Sequence, residues 1–356
     1  RLYRNRLRNR KHSAYRSGML AATLEGVPAI IMFQLLGGPF LTGYLLYLGA
    51  SSLQIGIVLA IPSMANMLQI VGALLIQRFS NRKLAFALLC GVHRILWVST
   101  GLVPLWFPES FSVAAYIVIC ATGFVGQAIG SVYWTSLIAD MVPARVRGRY
   151  FGIRNTILWA GGCTAILVFG QVLDRLPEPH GFYWMYAVAA VCAVLDIVFF
   201  MRYPNPPFQK SAQTGMKAML TVPFRHQPFL KAMLFISLWL FLQGISVPFF
   251  NYVMLDVMKI SYQSISIATM TQNVAMMASY YMWGNLNAKY ASKTLLFWTL
   301  PVIASSCMLW GMLPLLPDMP VLLAAHVLVG IGTGGFNQLM FNFVVGDTPK
   351  SERPMF

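Results

Sequence analysis

Glu25, Arg94 and Asp196 are charged residues set inside long apolar runs, which makes them the first candidates for chemistry. A charge in hydrocarbon costs several kcal/mol, so such a residue has a partner, a task or both. A carboxylate there can carry a proton, and an arginine can hold that carboxylate or an anionic solute. At about 1.5 Å of helical rise per residue, Arg94 lies about 16 Å past Lys83, near the middle of a bilayer. By the same measure Asp196 is about 9 Å inside Arg202, and Glu25 is about 34 Å from Leu48, at one edge of its run. A structural ion pair or a bond to a neighbouring helix is the plainer role for each. Arg94 and Asp196 form one candidate pair, while His93 reads as a packing residue.

A second kind of candidate is the arginine-dense island Asp140-Met-Val-Pro-Ala-Arg-Val-Arg-Gly-Arg-Tyr-Phe-Gly-Ile-Arg-Asn155. A degraded copy, Asp347-Thr-Pro-Lys-Ser-Glu-Arg-Pro-Met-Phe356, closes the chain.

The elements that must position these residues follow from composition. Of 356 residues, 58% are hydrophobic and 10% charged, with a mean hydropathy of +0.65. A soluble domain carries roughly 25% charged residues, so the chain reads as an all-α polytopic membrane protein. The net charge of +16 would suit nucleic acid if it formed one surface, but it is dispersed in short turns between apolar runs. Cys90, Cys120, Cys163, Cys192 and Cys307 lie in those runs without paired spacing, as small buried hydrophobes.

Ten segments are long enough to cross the bilayer as helices: approximately 18–48, 52–77, 83–106, 111–140, 149–173, 182–203, 228–256, 262–287, 293–314 and 320–346. Of 26 Lys and Arg, 23 fall in the N-terminal tail, in the turns after spans 2, 4, 6, 8 and 10, or at the flanking helix ends. The opposite turns hold Arg175 and Lys259 against five acids, Glu109, Asp174, Glu178, Asp256 and Asp318. By the positive-inside rule the N-terminus is expected in the cytoplasm. The expected organisation is a basic tail (1–17), a six-helix bundle (18–203), a cytoplasmic central loop (204–227) and a second bundle (228–356).

An internal repeat joins the halves. Pro39-Phe-Leu-Thr-Gly-Tyr44 matches Pro248-Phe-Phe-Asn-Tyr252 at an offset of 209, and Gly123 and Asp140 recur 207 residues on as Gly330 and Asp347. The turn Ala73-Leu-Leu-Ile-Gln-Arg78-Phe-Ser-Asn-Arg82-Lys83 matches Gly284-Asn-Leu-Asn-Ala-Lys289-Tyr-Ala-Ser-Lys293. Two halves with basic turns after each second and fourth helix resemble the major facilitator superfamily. The turn after span 2 is similar to that family's Gly-x-x-x-Asp-Arg-x-Gly-Arg-Lys signature, and Asp140, Pro143, Arg147 and Gly148 to its acid-x-x-Pro-x-x-x-Arg-Gly turn. The copies depart from the pattern: Gln77 and Ala288 stand where the family has an acid. Asp140, at the same helix ends, is expected to substitute by pairing with Arg78.

The resemblance implies two pseudo-symmetric six-helix bundles, of which ten helices are present and two more would follow Phe356. It implies a monomeric secondary transporter of the cell (inner) membrane that moves a small organic solute by alternating access, with no cofactor and no nucleic-acid partner. Coupling to protons is the expectation, with Glu25 and Asp196 as carriers. Spans 1, 4, 7 and 10 would line the solute cavity, making Gln34, Gln127, Trp134, Gln243, Asn251, Asn337 and Gln338 the binding candidates. Amides and aromatics with little fixed charge suit a neutral or amphipathic solute. The basic turns would form the cytoplasmic gate: Arg78, Asp140, Arg147, Arg149, Lys289, Asp347 and Arg353.

A multidrug exporter is the alternative, disfavoured because Gly161-Gly162 lacks the Gly-Pro step of many exporters; a non-transporting sensor is a third reading. Gly37-Gly-Pro39 is expected to hinge or kink span 1. Gly126 and Gly130 form a small-xxx-small packing face. Gly330-Ile-Gly-Thr-Gly-Gly335 lacks the strand that a dinucleotide site needs. No Walker motif, metal-ligand cluster or nucleophile elbow occurs.

Overall fold

The computed structural model describes residues 2–79, 81–206, 227–287, 289–313, 315 and 318–346. Their regular structure is helical: α1 (Leu2–Leu35), α2 (Gly38–Tyr47), α3 (Ser52–Asn66), α4 (Gln69–Arg78), α5 (Arg82–Ser99), α6 (Val103–Trp106), α7 (Glu109–Met141), α8 (Ala144–Arg175), α9 (His180–Phe200), α10 (Gln227–Tyr252), α11 (Tyr262–Asn287), α12 (Ser292–Gly311) and α13 (Asp318–Gly346). α1 with α2 forms span 1, α3 with α4 span 2, and α5 with α6 span 3; each later helix is one span.

Local chemistry sets the boundaries. Span 1 breaks where the sequence places Gly37-Gly38-Pro39. Gly38 has φ +54°, a left-handed conformation that glycine adopts at little steric cost. Pro39 follows in the first turn of α2, where its missing N–H is no loss. It also deprives the Leu35 carbonyl of its helical donor. The short turn into α3 closes with a capping box: Gln54 N–H donates to Ser51 Oγ (3.3 Å), and Ser51 N–H to Gln54 Oε1 (2.8 Å).

Among the described residues, nine helices are long and apolar enough to cross a membrane. The expected tenth, span 8, is the exception. α11 has the length, 26 residues, but its first half carries Gln263, Ser264, Ser266, Thr269, Thr271, Gln272 and Asn273.

The chain divides into two compact units, one comprising Arg1–Ala212 with Pro248–Tyr262, the other Gln213–Val247 with Gln263–Phe356. Bilayer lipid is as apolar as a leucine side chain, so close contact rather than water exclusion holds such helices together. In the first unit α5 meets α7 at the expected small-residue face: a Cβ on Gly126 would sit 2.7 Å from the Leu89 carbonyl oxygen, and one on Gly130 against Cys90 Sγ. One core gathers Tyr44, Tyr116, Phe182 and Tyr186, with the Tyr44 hydroxyl donating to the Thr100 carbonyl at 3.0 Å. A second core, at the basic end, joins Ala21 and Ala22 of α1 to Phe86, Leu137, Met141, Phe200 and Tyr203.

In the second unit, the Trp283 indole of α11 donates to the Ile331 carbonyl of α13 at 2.9 Å. Gly332 lies against Ile303 and Gly335 against Trp283. The Gly330–Gly335 run is therefore a packing surface inside a helix.

A buried charge network as the candidate functional site

The first unit brings its embedded charges together. Arg94 of α5 points its Nε at Asp196 Oδ2 of α9, 2.7 Å away, with both residues 3% exposed. The Arg94 Nη1 donates to Gln127 Oε1 of α7 at 2.6 Å and lies 2.9 Å from His93 Nδ1. The guanidinium also sits over the Phe33 ring of α1, 5.4 Å from its centre. One arginine thus touches groups from four spans. Burial demands this, because every unsatisfied donor of a guanidinium at that depth would be costly.

The network continues toward α1. Asp196 Oδ1 accepts no hydrogen bond in the structure, and the Glu25 carboxyl lies within hydrogen-bonding reach of Asp196. Glu25 Oε2 accepts from the Tyr203 hydroxyl at 2.9 Å and lies 3.6 Å from Arg154 Nη2 of α8. Arg154 is held in place by donating Nε to the Ala22 carbonyl at 3.0 Å and by lying over the Trp134 ring. A cavity of about 10 Å³ touches Asp196 beside Cys90, about the space one water needs. Two carboxylates side by side between two arginines balance in formal charge, and the vacant oxygen of Asp196 leaves a place for one proton.

A separate cluster sits at the basic end. Arg82, fully buried at the start of α5, donates Nη1 to Asp140 Oδ2 (2.6 Å), Ser136 Oγ (2.9 Å) and the Ser136 carbonyl (3.0 Å). Its Nη2 donates to the Pro206 carbonyl at 2.9 Å. The Lys83 ammonium donates to the Met201 carbonyl at 2.6 Å. These bonds tie the turn after span 2 to the ends of spans 4 and 6.

Comparison with known proteins decides the family. A family model described as the Major Facilitator Superfamily matches residues 26–356. The chain belongs to the Major Facilitator Superfamily. It is accordingly a multi-pass membrane protein of a transporter family. Similar solved structures include a mutant of the nucleoside transporter NupG (14% identity, TM-score 0.71, covering 95% of this chain and 85% of that one). Another is the xylose transporter XylE from E. coli in a partially occluded inward-open conformation (15%, 0.66, 94% and 85%). A third is a bacterial homologue of the human lysosomal transporter Spinster, inward-facing and unoccupied (15%, 0.63, 94% and 74%). At such identities they establish the superfamily fold alone. No curated protein matches the chain in sequence.

The expected site residues fare unevenly. Glu25, Arg94 and Asp196 converge on one network. Gln127 is engaged with Arg94 rather than free to meet a solute, and Trp134 packs under Arg154. Gln34 lies against Gly162 of α8. Gln243 and Asn251 are half-buried on α10; on α13 Asn337 is exposed, and Gln338 borders Gly284 of α11.

At the gate one expectation is corrected: Asp140 pairs with Arg82, not Arg78. Arg82 opens α5, which packs along α7 and so reaches the end of that helix, whereas Arg78 ends α4 and is exposed. Lys289 is exposed. The side chains of Arg147 and Arg149, and residues Asp347 and Arg353, lie outside the described residues.

Sequence reasoning passed over Arg154, Tyr203 and Arg82. The signal for Arg154 was present, an arginine about 7.5 Å into span 5 beyond Arg149. His93, read as packing, is indeed buried among Phe33, Trp97 and Phe124, yet it also touches Arg94.

Proposed function

We propose that the protein is a secondary active transporter that moves a small organic solute by alternating access, driven by protons carried on the Glu25–Asp196 pair. One observation supports this above others: two buried carboxyls in reach of each other, each facing its own arginine, with one oxygen of Asp196 left without a donor. A purely structural quartet needs no vacant acceptor, whereas a proton carrier needs one. Tyr203 and the single-water cavity beside Asp196 offer places for the proton to arrive and leave.

In this reading the N-terminus is cytoplasmic, following the basic turns, and the protein resides in the cell membrane as a monomer. The six spans over 18–203 act as one moving half and the spans over 228–356 as the other, joined by the loop at 204–227. Gln34, Gln243, Asn251, Asn337 and Gln338 remain solute-binding candidates. Arg82 with Asp140 forms the latch at the cytoplasmic end, and Arg78, Arg147, Arg149, Lys289, Asp347 and Arg353 flank it.

The test is uptake into proteoliposomes under an imposed proton gradient, using radiolabelled neutral solutes. Nucleosides and pentoses begin the panel, because a nucleoside transporter and a xylose transporter share the fold. Accumulation that collapses when the gradient is dissipated supports the proposal. Transport that equilibrates a solute but ignores the gradient overturns its coupling.

A further inference from the structure

His93 is a titratable side chain, fully buried in the first unit, that proton carriage on Glu25 and Asp196 does not itself employ. Its ring lies against Phe33 of α1, Trp97 of α5 and Phe124 of α7. Its Nδ1 is 2.9 Å from Arg94 Nη1. Neighbours in a helix point about 100° apart, so adjacency in the chain does not by itself bring these two side chains together. The Phe33 ring serves both, stacked on the imidazole at 6.2 Å and lying 5.4 Å from the guanidinium carbon.

The contact fixes where the imidazole carries its hydrogen. A guanidinium nitrogen only donates, so Nδ1 accepts, and the ring is neutral with its hydrogen on Nε2. That Nε2 is buried and has no partner in the structure. A residue kept for packing alone gains nothing from an unpaired buried N–H, which is costly. The acceptor at Nδ1 is therefore what an imidazole brings to this place.

Arg94 is thus held from two ends. Its Nε donates to the charged Asp196 at 2.7 Å, and its Nη1 donates to two neutral acceptors, His93 Nδ1 and Gln127 Oε1. We infer that His93 is a positioning residue: with Gln127 it forms a neutral seat that keeps Arg94 in place while Asp196 holds the proton. A protonated Asp196 no longer balances the guanidinium, and a buried cation without a partner is strongly unfavourable. Two neutral acceptors at the far end spread its charge and keep Nε aimed at the carboxyl for the moment the proton leaves. The purpose of the seat rests on the reading of Asp196 as a carrier; its geometry does not.

Two substitutions separate this role from packing. His93→Asn sets a carbonyl oxygen where Nδ1 stands, and His93→Phe keeps a ring but no acceptor. His93→Phe is expected to lose gradient-driven accumulation about tenfold, the order of one hydrogen bond to a charged group, and His93→Asn to recover most of it. A ring that only fills space would favour Phe over Asn, and that order overturns the inference. Two further measurements need no transport. Nitrogen NMR of the full chain in detergent, with isotope-labelled histidine, is expected to show the Nε2–H tautomer at neutral pH for the signals that His93→Asn removes. The Nδ1–H tautomer or an imidazolium overturns the inference. His93→Phe is also expected to lower the unfolding temperature more in an Asp196→Asn background, where the seat is the main support of Arg94, than in wild type. Equal shifts in the two backgrounds overturn the seat. If the tautomer and the unequal shifts hold while wild type accumulates nothing under a gradient, the transport reading is what fails.

Discussion

Arg94 and Asp196 are 102 residues apart in the chain and 2.7 Å apart in the structure, a pair that ties span 3 to span 6 at the core of the first unit. Neither helix could carry its charge alone at that depth. The pair is also the hub of a larger arrangement, because Asp196 hands one side to Arg94 and the other to Glu25.

Removing one member strands the other. Arg94→Met leaves Asp196 buried without its cation and is expected to cost about 3–5 kcal/mol. The double variant Arg94→Met with Asp196→Leu removes both charges and is expected to recover most of that loss. Thermal unfolding in detergent reads both. A single variant as stable as wild type would show that the pair bears no structural load.

The α5–α7 seam is expected to tolerate no added bulk at Gly126, where even a Cβ lies 2.7 Å from the Leu89 carbonyl. Gly126→Val should lower the unfolding temperature clearly. Gly161→Ala is the contrast, because its Cβ would meet Val27 at 3.6 Å, an ordinary contact. The two are compared by the same unfolding measurement, and equal behaviour would contradict the close approach.

Arg82 is expected not to accept lysine. Its two terminal nitrogens serve Asp140, Ser136 and Pro206 together, and a point-charge ammonium cannot reproduce that fork. In the proposed cycle, Arg82→Lys and Asp140→Ala slow transport several-fold while leaving solute affinity unchanged. Equilibrium binding and initial uptake rates separate the two effects. An Asp140→Ala protein that transports at the wild-type rate would remove the latch from the account.

Much of this was legible in the sequence, because a bilayer imposes strong rules on it. Apolar length set the spans, Gly37-Gly38-Pro39 announced the break in span 1, and Gly126 with Gly130 announced the seam. What remained hidden depends on the rotation of one helix against another. The gap in span 2 at Met67–Leu68 has neither glycine nor proline at the break; the nearest, Gly72 and Pro62, lie inside α4 and α3. Whether Asp140 meets Arg78 or Arg82 turns on which of α4 and α5 brings its basic end to the end of α7. Arg154 reaches Glu25 only because α8 packs on α1, which no spacing within either helix reveals. The polar first half of α11 was visible as composition, yet the length of the segment outweighed it.

The most direct measurement sets gradient-driven accumulation against solute exchange in proteoliposomes for Glu25→Gln and Asp196→Asn. If these carboxyls carry the proton, both variants lose accumulation under an imposed proton gradient yet still exchange labelled for unlabelled solute across the membrane. Variants that exchange and also accumulate solute like wild type would contradict the central claim.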